Sequence, residues 1–234
     1  MVAACLGMPA VGGLPADIPV AATLEEGALL AARVLGVPVP DLADGLAGDV
    51  EAAIARTGDS RAAVRGFFTG GTLCYEAQVV LSRCVGPVYS NIPLSPDLAL
   101  PAPPGAHICL DLGEEEYTRG RPHPMIDPSA RREIVQEQAG GSDVAVVLLD
   151  VVLGHGSHPD PAGEIAATCA DLVARGVAVV AYVLGTRADP QDFDASCRTL
   201  RDAGAIVTQT SAQAARVAAA ISAGRPDLAA ASLS

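Results

Sequence analysis

Gly66-Phe67-Phe68-Thr69-Gly70-Gly71-Thr72-Leu73-Cys74-Tyr75-Glu76-Ala77 decides how this chain is read. Arg65 to Thr69 is β-branched and aromatic enough for a short buried strand. From Leu73 onward the spacing turns helical, with Leu73, Ala77, Val80 and Leu81 on one face. Between the two, Gly70 and Gly71 permit a sharp turn and a close approach of the backbone to a ligand. The helix start then offers the backbone of Gly70, Gly71, Thr72 and Leu73 at the positive end of the helix dipole, which suits an anion. The same pattern also serves as an ordinary strand-to-helix turn, because short glycine motifs are common.

Outward from this turn the chain alternates. Candidate strands cover residues 64–69, 85–89, 107–112, 144–151, 177–184 and 205–208. Candidate helices cover 72–83, 128–139, 162–175, 190–202 and 211–222. This order predicts βαβ units and an α/β fold with a doubly wound parallel sheet. Val144 to Val152 and Val177 to Val183 are almost wholly apolar, as strands covered on both faces are. Ligands bind beyond the carboxyl ends of the strands in such sheets. The glycine turn and two polar runs, after 107–112 and after 144–151, all lie at such ends.

The first residues repeat the way the chain closes. Val2 to Leu6 reads as a strand, and Thr23 to Leu35 reads as a helix with Thr23 and Glu26 spaced as a capping box. Later, Val177 to Leu184 ends in Leu184-Gly185 as the first strand ends in Leu6-Gly7, and Thr210 with Gln213 offers a second box before Ala214 to Ile221. Residues 1–36 are therefore expected to be the closing strand and helix of an incomplete upstream α/β unit. Residues 37–62 are rich in Pro, Gly, Asp and Ala and read as a linker with room for one helix, Asp49 to Arg56. Residues 63–234 make the main domain. Both faces of Val2–Leu6 are apolar and need cover, so a hetero- or homo-oligomer is expected.

Composition narrows the function classes. The net charge of −12 argues against nucleic acid, which needs a basic face. The chain contains no Lys, which removes Schiff-base chemistry and a Walker-type lysine. No apolar run is long enough to span a membrane. The apolar N-terminus has its first basic residue at Arg33, unlike a signal peptide. Cysteines 5, 74, 84, 109, 169 and 197 have no metal spacing and no disulfide framework, and point to reduced thiols in a cytoplasmic protein.

Three groups of residues could carry chemistry. Glu114 to Asp127 is a long polar loop with Arg119, Arg121 and His123; its arginines suit a carboxylate or phosphate ligand. Asp127-Pro128 reads as an N-cap followed by proline, a structural role. His155, His158 and Asp160 follow the strand at 144–151; Pro159 and Pro161 favour a rigid turn there, and no metal is expected. Asp150 lies at the end of that buried strand and needs a partner. Cys74 falls in the first helical turn, where a thiol pKa can drop; an inert buried thiol is the other reading.

Gly71-Thr72-Leu73-Cys74-Tyr75-Glu76-Ala77 resembles the start of the phosphate-facing helix of succinyl-CoA synthetase α-subunits, with Cys74 where Thr is usual. Three longer runs are similar to the FdrA family of acyl-CoA-synthetase-like proteins: Asp111 to Pro128, Leu148 to Gly163, and Gly185-Thr186-Arg187-Ala188-Asp189-Pro190-Gln191. The resemblance covers residue 64 onward well and the first 35 residues loosely. It implies a flavodoxin-like CoA-ligase domain and a carboxylate near Asp150 that supports an active-site histidine. It also implies a phosphohistidine in a Gly-His-Ala-Gly loop, and the matching place, Gly185 to Gln191, holds no histidine. His155 and His158, with Asp150, are then the candidates for chemistry.

The resemblance implies three alternatives. One is an acid–thiol (CoA) ligase handling an acyl phosphate. Another is a subunit of a carbamoyltransferase acting on oxamate in ureide breakdown, handling a carbamoyl phosphate. The last is a non-catalytic scaffold or regulatory subunit. No cofactor is expected to be permanently bound. CoA or a nucleotide would be a substrate, bound by an absent upstream domain or by a partner. No nucleic-acid or membrane partner is expected.

Overall fold

A computed structural model describes residues 1–6, 13–15, 17–39, 42, 45–58 and 60–230. Short strands β1 (Ala3–Ala4) and β2 (Val20–Ala21) lead to helices α1 (Leu24–Leu35) and α2 (Ala47–Thr57). Strand β3 (Ala63–Phe68), helix α3 (Gly71–Val85) and strand β4 (Val88–Ser90) follow. Next come β5 (His107–Asp111), a four-residue helix α4 (Glu115–Thr118), α5 (Ser129–Gln138) and β6 (Val144–Val152). The chain closes with α6 (Pro161–Ala174), β7 (Ala178–Leu184), α7 (Phe193–Asp202), β8 (Ile206–Thr208), α8 (Ser211–Ala223) and α9 (Asp227–Ala230).

Strands β3 to β8 form one six-stranded sheet in the order β4-β5-β3-β6-β7-β8, and every pairing is parallel. The expected α/β doubly wound parallel architecture is therefore present. Its central strands are apolar on both faces for the stated reason. Val144 to Val151 is buried without interruption. On one face of the sheet, α2, α3 and α8 close a core that includes Val64, Phe68, Val80, Leu81 and Val146. On the other, residues of α5, α6 and α7 close a core around Phe67, Leu149, Leu172 and Leu200. Alternate residues of β3 thus feed opposite cores, as the period of a strand requires.

Helix α8 is buried along residues 211–222. Its alanines let it lie close to the sheet with α2 and α3 packed against it. Its buried polar side chains are paired: Arg216 meets Glu25, and Gln213 accepts from Gln209 N. Close packing is also the reason that Gly66 lacks a side chain. A Cβ there would lie 2.8 Å from Cys109 Sγ and 2.8 Å from the Phe68 ring.

Some boundaries differ from expectation. Helix α3 runs on to Val85, so the edge strand expected at 85–89 is β4, Val88–Ser90. Helix α7 starts at Phe193, because Asp192 takes a left-handed φ of 54° and caps it by accepting from Ala195 N at 2.9 Å. The expected helix Asp49–Arg56 is the middle of α2, whose Val50 and Ala53 are buried in the core. Residues 40, 41, 43, 44 and 59 of the stretch read as a linker lie outside the described residues, as do Gly7 and residues 231–234.

Strands β1 and β2 pair in parallel as a separate two-stranded sheet. Helix α1 begins with the expected capping box, Thr23 with Glu26. It docks on the main body through its first turn. Buried Glu76 of α3 accepts from Leu24 N at 2.7 Å and Glu25 N at 3.4 Å, placing a carboxylate at a helix start. Glu25 in turn pairs with Arg216 of α8 at 2.7 Å, both side chains buried, and accepts a hydrogen bond from Thr210. The second box is altered: Thr210 Oγ1 accepts from Gln213 N at 3.0 Å, but Gln213 reaches back to Gln209 N, at 2.9 Å. No described helix is long and apolar enough to cross a membrane.

His107 opens β5, and its Nδ1 accepts from Val64 N at 3.2 Å. Burial, and next Arg65, lower its pKa below the ordinary histidine value. The unfolded chain therefore holds the proton more tightly than the folded one. The stability from neutral His107 is present above the unfolded pKa of about 6.5 and is lost as pH falls toward the folded pKa. Urea unfolding from about pH 8 down to about pH 5 should show the wild type losing stability relative to His107→Gln.

Candidate functional site

The carboxyl ends of β5, β3 and β6 meet where the connections diverge. The chain leaves β3 toward α3 on one face of the sheet, and leaves β5 and β6 toward α5 and α6 on the other. Adjacent loops that part in opposite directions leave a crevice at this point. The polar residues singled out in the sequence are grouped around it.

The start of α3 forms one wall. Gly70 is extended, and no side chain among the described residues caps the helix. The first amides of α3 are thus left for water or a ligand. Gly71 is half-buried and Thr72 is exposed, while Leu73 turns into the core. Gly71 cannot be enlarged freely. A Cβ would stand 3.1 Å from Asp111 Oδ2 and 3.6 Å from Ile92 Cδ1. Cys74 is buried, and burial, with Cys109 and Asp111 nearby, raises its thiol pKa well above the usual value. The inert buried thiol is therefore the reading that the structure supports, with desolvation as the largest cause.

Asp150 is held beneath that wall. Its carboxylate accepts from Thr69 N at 3.0 Å and from Thr69 Oγ1 at 2.8 Å. Arg131 of α5 closes the pair at 3.0 Å from Asp150 Oδ1. The same guanidinium donates to the carbonyls of Phe67, at 2.9 Å, and of Asp150, at 2.6 Å. Asp150 is 1% exposed and Arg131 is 5% exposed, so this is a buried ion pair. Burial lowers the Arg131 pKa, and Asp150 opposes that shift. Asp150 thus fixes the residue that precedes the glycine turn.

Asp111, at the end of β5, faces the crevice from the other side. Asn91 brackets its backbone, donating to Asp111 O at 2.9 Å and accepting from Asp111 N at 3.0 Å. Asp111 Oδ1 accepts from Gly113 N at 2.8 Å. Gly113 is confined on three sides. A Cβ on it would lie 2.7 Å from His123 Nε2, 3.0 Å from Asp111 Oδ1 and 3.2 Å from Thr69 O. Gly71, Gly113, Thr69, Asp111 and His123 therefore converge on one spot. His123 Nδ1 accepts from Met125 N at 3.3 Å, which directs Nε2 toward Gly113. Burial raises the Asp111 pKa; Glu114 and Asp150 add to that, and Gly113 N–H and His123 oppose it.

The remaining loops are tied to one another. His158 N donates to Met125 O at 2.7 Å, joining the loop after β6 to the loop after β5. Gln191 accepts from Gly154 N at 3.0 Å and donates to Gly154 O at 2.8 Å and His158 O at 3.3 Å. His158 Nδ1 accepts from Asp160 N at 3.1 Å, and Asp160 caps α6. Asp127 accepts from Ser129 N at 3.0 Å, but it stands one residue before the cap expected of it: α5 begins at Ser129 and Pro128 takes the N-cap position without a side-chain cap. His155 is exposed on the same turn as His158. Arg119 is exposed and paired with Glu115 at 3.0 Å, and Arg121 lines a surface pocket with Asp127 and Glu133.

The structure therefore brings Gly70, Gly71, Thr72, His123 and Asp150 to the crevice and ties His158 to its rim. It turns Arg119 and Arg121 outward. Asp111, Asn91, Arg131 and Gln191 were not foreseen as site residues. Asp111 and Asn91 carried one available signal, since polar residues at or just after strand ends line the ligand crevice of a parallel sheet.

Residues 67–221 match the family model described as CoA-ligase. The chain belongs to the CoA-ligase family. Its fold is that of the succinyl-CoA synthetase type. The chain is also similar to the uncharacterized protein YahF of Escherichia coli (strain K12), at 40% identity over 156 residues. That alignment takes in 63% of this chain and 30% of the E. coli protein.

Arg131 tests how the family's glycine turn is supported here. Arg131→Met removes one half of a buried pair and leaves Asp150 uncompensated, at a cost of about 3–5 kcal/mol. Adding Asp150→Asn should return part of that loss. Equilibrium unfolding of the single and double variants checks both expectations.

Proposed function

We propose that this CoA-ligase domain is of the FdrA type and handles a small acid activated as a mixed anhydride with phosphate, an acyl or carbamoyl phosphate. The observation that carries this reading is the uncapped start of α3, open beside the crevice at the carboxyl end of β3. Its amides and the positive end of the helix dipole favour a phosphoryl group. When a nucleophile attacks the carbonyl carbon, the carbon–oxygen bond to phosphate breaks and charge collects on the leaving phosphate. Fixed N–H donors at that place stabilise the charge as it develops. The long family-like runs Asp111 to Pro128 and Leu148 to Gly163 supply the surrounding loops. A nucleophile such as CoA would be delivered from another domain or chain.

The histidine relay of the synthetases has no residue at its usual place, since Gly185 to Gln191 contains none. Transfer in this reading proceeds directly from the bound anhydride. His155 and His158 remain the candidates to which a relay could have moved. Mass spectrometry after incubation with acetyl phosphate checks this: phosphate on neither His155 nor His158 is the result expected of direct transfer, and phosphate on either would mean that the relay has moved.

Gly71→Val tests the anion seat itself. Its Cβ meets Asp111 and Ile92 at distances that a small shift relieves, so the fold should survive. Phosphate binding measured by calorimetry should be lost in the variant while its thermal unfolding stays close to that of the wild type. Equal binding by both chains would overturn the reading.

A further inference from the structure

We propose that Asp111 makes anion binding at the start of α3 proton-coupled: a tetrahedral anion seated on the amides of Gly71 to Leu73 binds with one proton held between it and Asp111 Oδ2. This inference rests on the anion seat described above and adds a condition to it. Asp111 is 4% exposed. Its Oδ1 is satisfied by Gly113 N at 2.8 Å. Among the described residues no group donates a hydrogen bond to Oδ2, and this oxygen stands 3.1 Å from the place a Cβ of Gly71 would occupy. This oxygen is therefore free of a protein donor and stands beside the first residue of the uncapped helix, where a ligand can meet it.

A carboxylate aimed at an anion seat works against the anion while it is ionised. A protonated carboxyl reverses that effect, because its O–H donates to the anion. The surroundings favour the proton. Glu114 of the following loop and Asp150 of β6 both raise the Asp111 pKa, beyond the larger effect of burial. On α3, Cys74 stays a neutral thiol. Arg131 of α5 is engaged with Asp150. His123, with the Gly113 N–H, opposes the shift. Asn91 fixes the backbone of Asp111, and the Gly113 N–H bond to Oδ1, at 2.8 Å, orients its carboxyl. The geometry thus selects phosphoryl ligands that carry a proton on the oxygen facing Asp111, or that bind when Asp111 does.

Sulfate is the probe, because it stays a dianion over the whole working range and brings no proton of its own. Calorimetric titrations of the full chain are made from about pH 5 to about pH 8, in buffers of different ionisation enthalpy. Above the pH at which Asp111 ionises in the free protein, the wild type should take up about one proton per sulfate and its affinity should fall about tenfold per pH unit. Asp111→Asn keeps an oxygen for Gly113 N and presents an N–H in place of Oδ2. It should bind sulfate with no proton uptake and without that pH slope. His123→Gln should keep the uptake. Sulfate binding by the wild type with no proton uptake and no fall in affinity at any pH from about 5 to about 8 would overturn the coupling and leave the anion seat standing. Uptake that survives in Asp111→Asn but is lost in His123→Gln would assign the proton to the imidazole and also overturn it. No sulfate binding by any of the three chains at any pH would overturn the seat and this inference together. Wild-type proton uptake decides the matter should Asp111→Asn not fold.

Discussion

The buried contact of Asp150 with Thr69 and Arg131 holds the rest of the site in place. It joins three elements: β6 supplies the carboxylate, the threonine directly follows β3, and α5 brings the guanidinium. The pair lies under the sheet's carboxyl ends, where charges lose most of their hydration. It is tolerated because nearly every lone pair finds a donor. Thr69 gives two, and Arg131 gives one to the carboxylate and others to the carbonyls of Phe67 and Asp150. Thr69 in turn sets the position of Gly70 and of the first amides of α3. A carboxylate used this way organises the crevice from below and leaves Asp111 as the acid that faces it.

Close approach is the second constraint. Gly71 and Gly113 come from different loops, and each is limited by Asp111. A side chain at Gly113 would push apart the end of β3, the end of β5 and the loop carrying His123, whereas one at Gly71 asks only a small shift of the Asp111 carboxyl. This crowding leaves the groups around the crevice few other places to go. The N-terminal unit is secured by related chemistry. A helix start meets a buried carboxylate, Glu76, and the acidic first turn of α1 meets Arg216. Even so, Val34 and Leu35 of α1 remain exposed.

The sheet was legible because its central strands carry an unmistakable pattern. Nothing but a two-sided core suits Val144 to Val151 and Ala178 to Val183. The glycine turn and the Thr23 capping box were legible because each is local, encoded within four or five residues. The start of α7 was not, since Asp192 adopts a left-handed conformation that residue type alone seldom reveals. Arg131 was hidden for a different reason. It sits in a largely polar helix with only Arg131 and Val135 buried, and its partner lies on a distant strand. Asp111 was visible as a strand-end acid, but its neighbours Gly71, Gly113 and His123 come from separate segments. Pairings of that kind are written in the tertiary structure and in no short stretch of chain.

The Thr69–Asp150 contact spans 81 residues. A chain growing from its N-terminus makes the glycine turn early and its anchor much later. Until β6 is available, β3 has β5 on one side and an unpaired edge on the other. Closing so long a loop carries an entropic cost that must be met before the contact stabilises anything. The amides at the start of α3 are thus among the earlier residues of the domain to be made, yet they gain their fixed geometry only when the second half of the sheet has assembled. Maturation of the site is tied to completion of the whole parallel sheet.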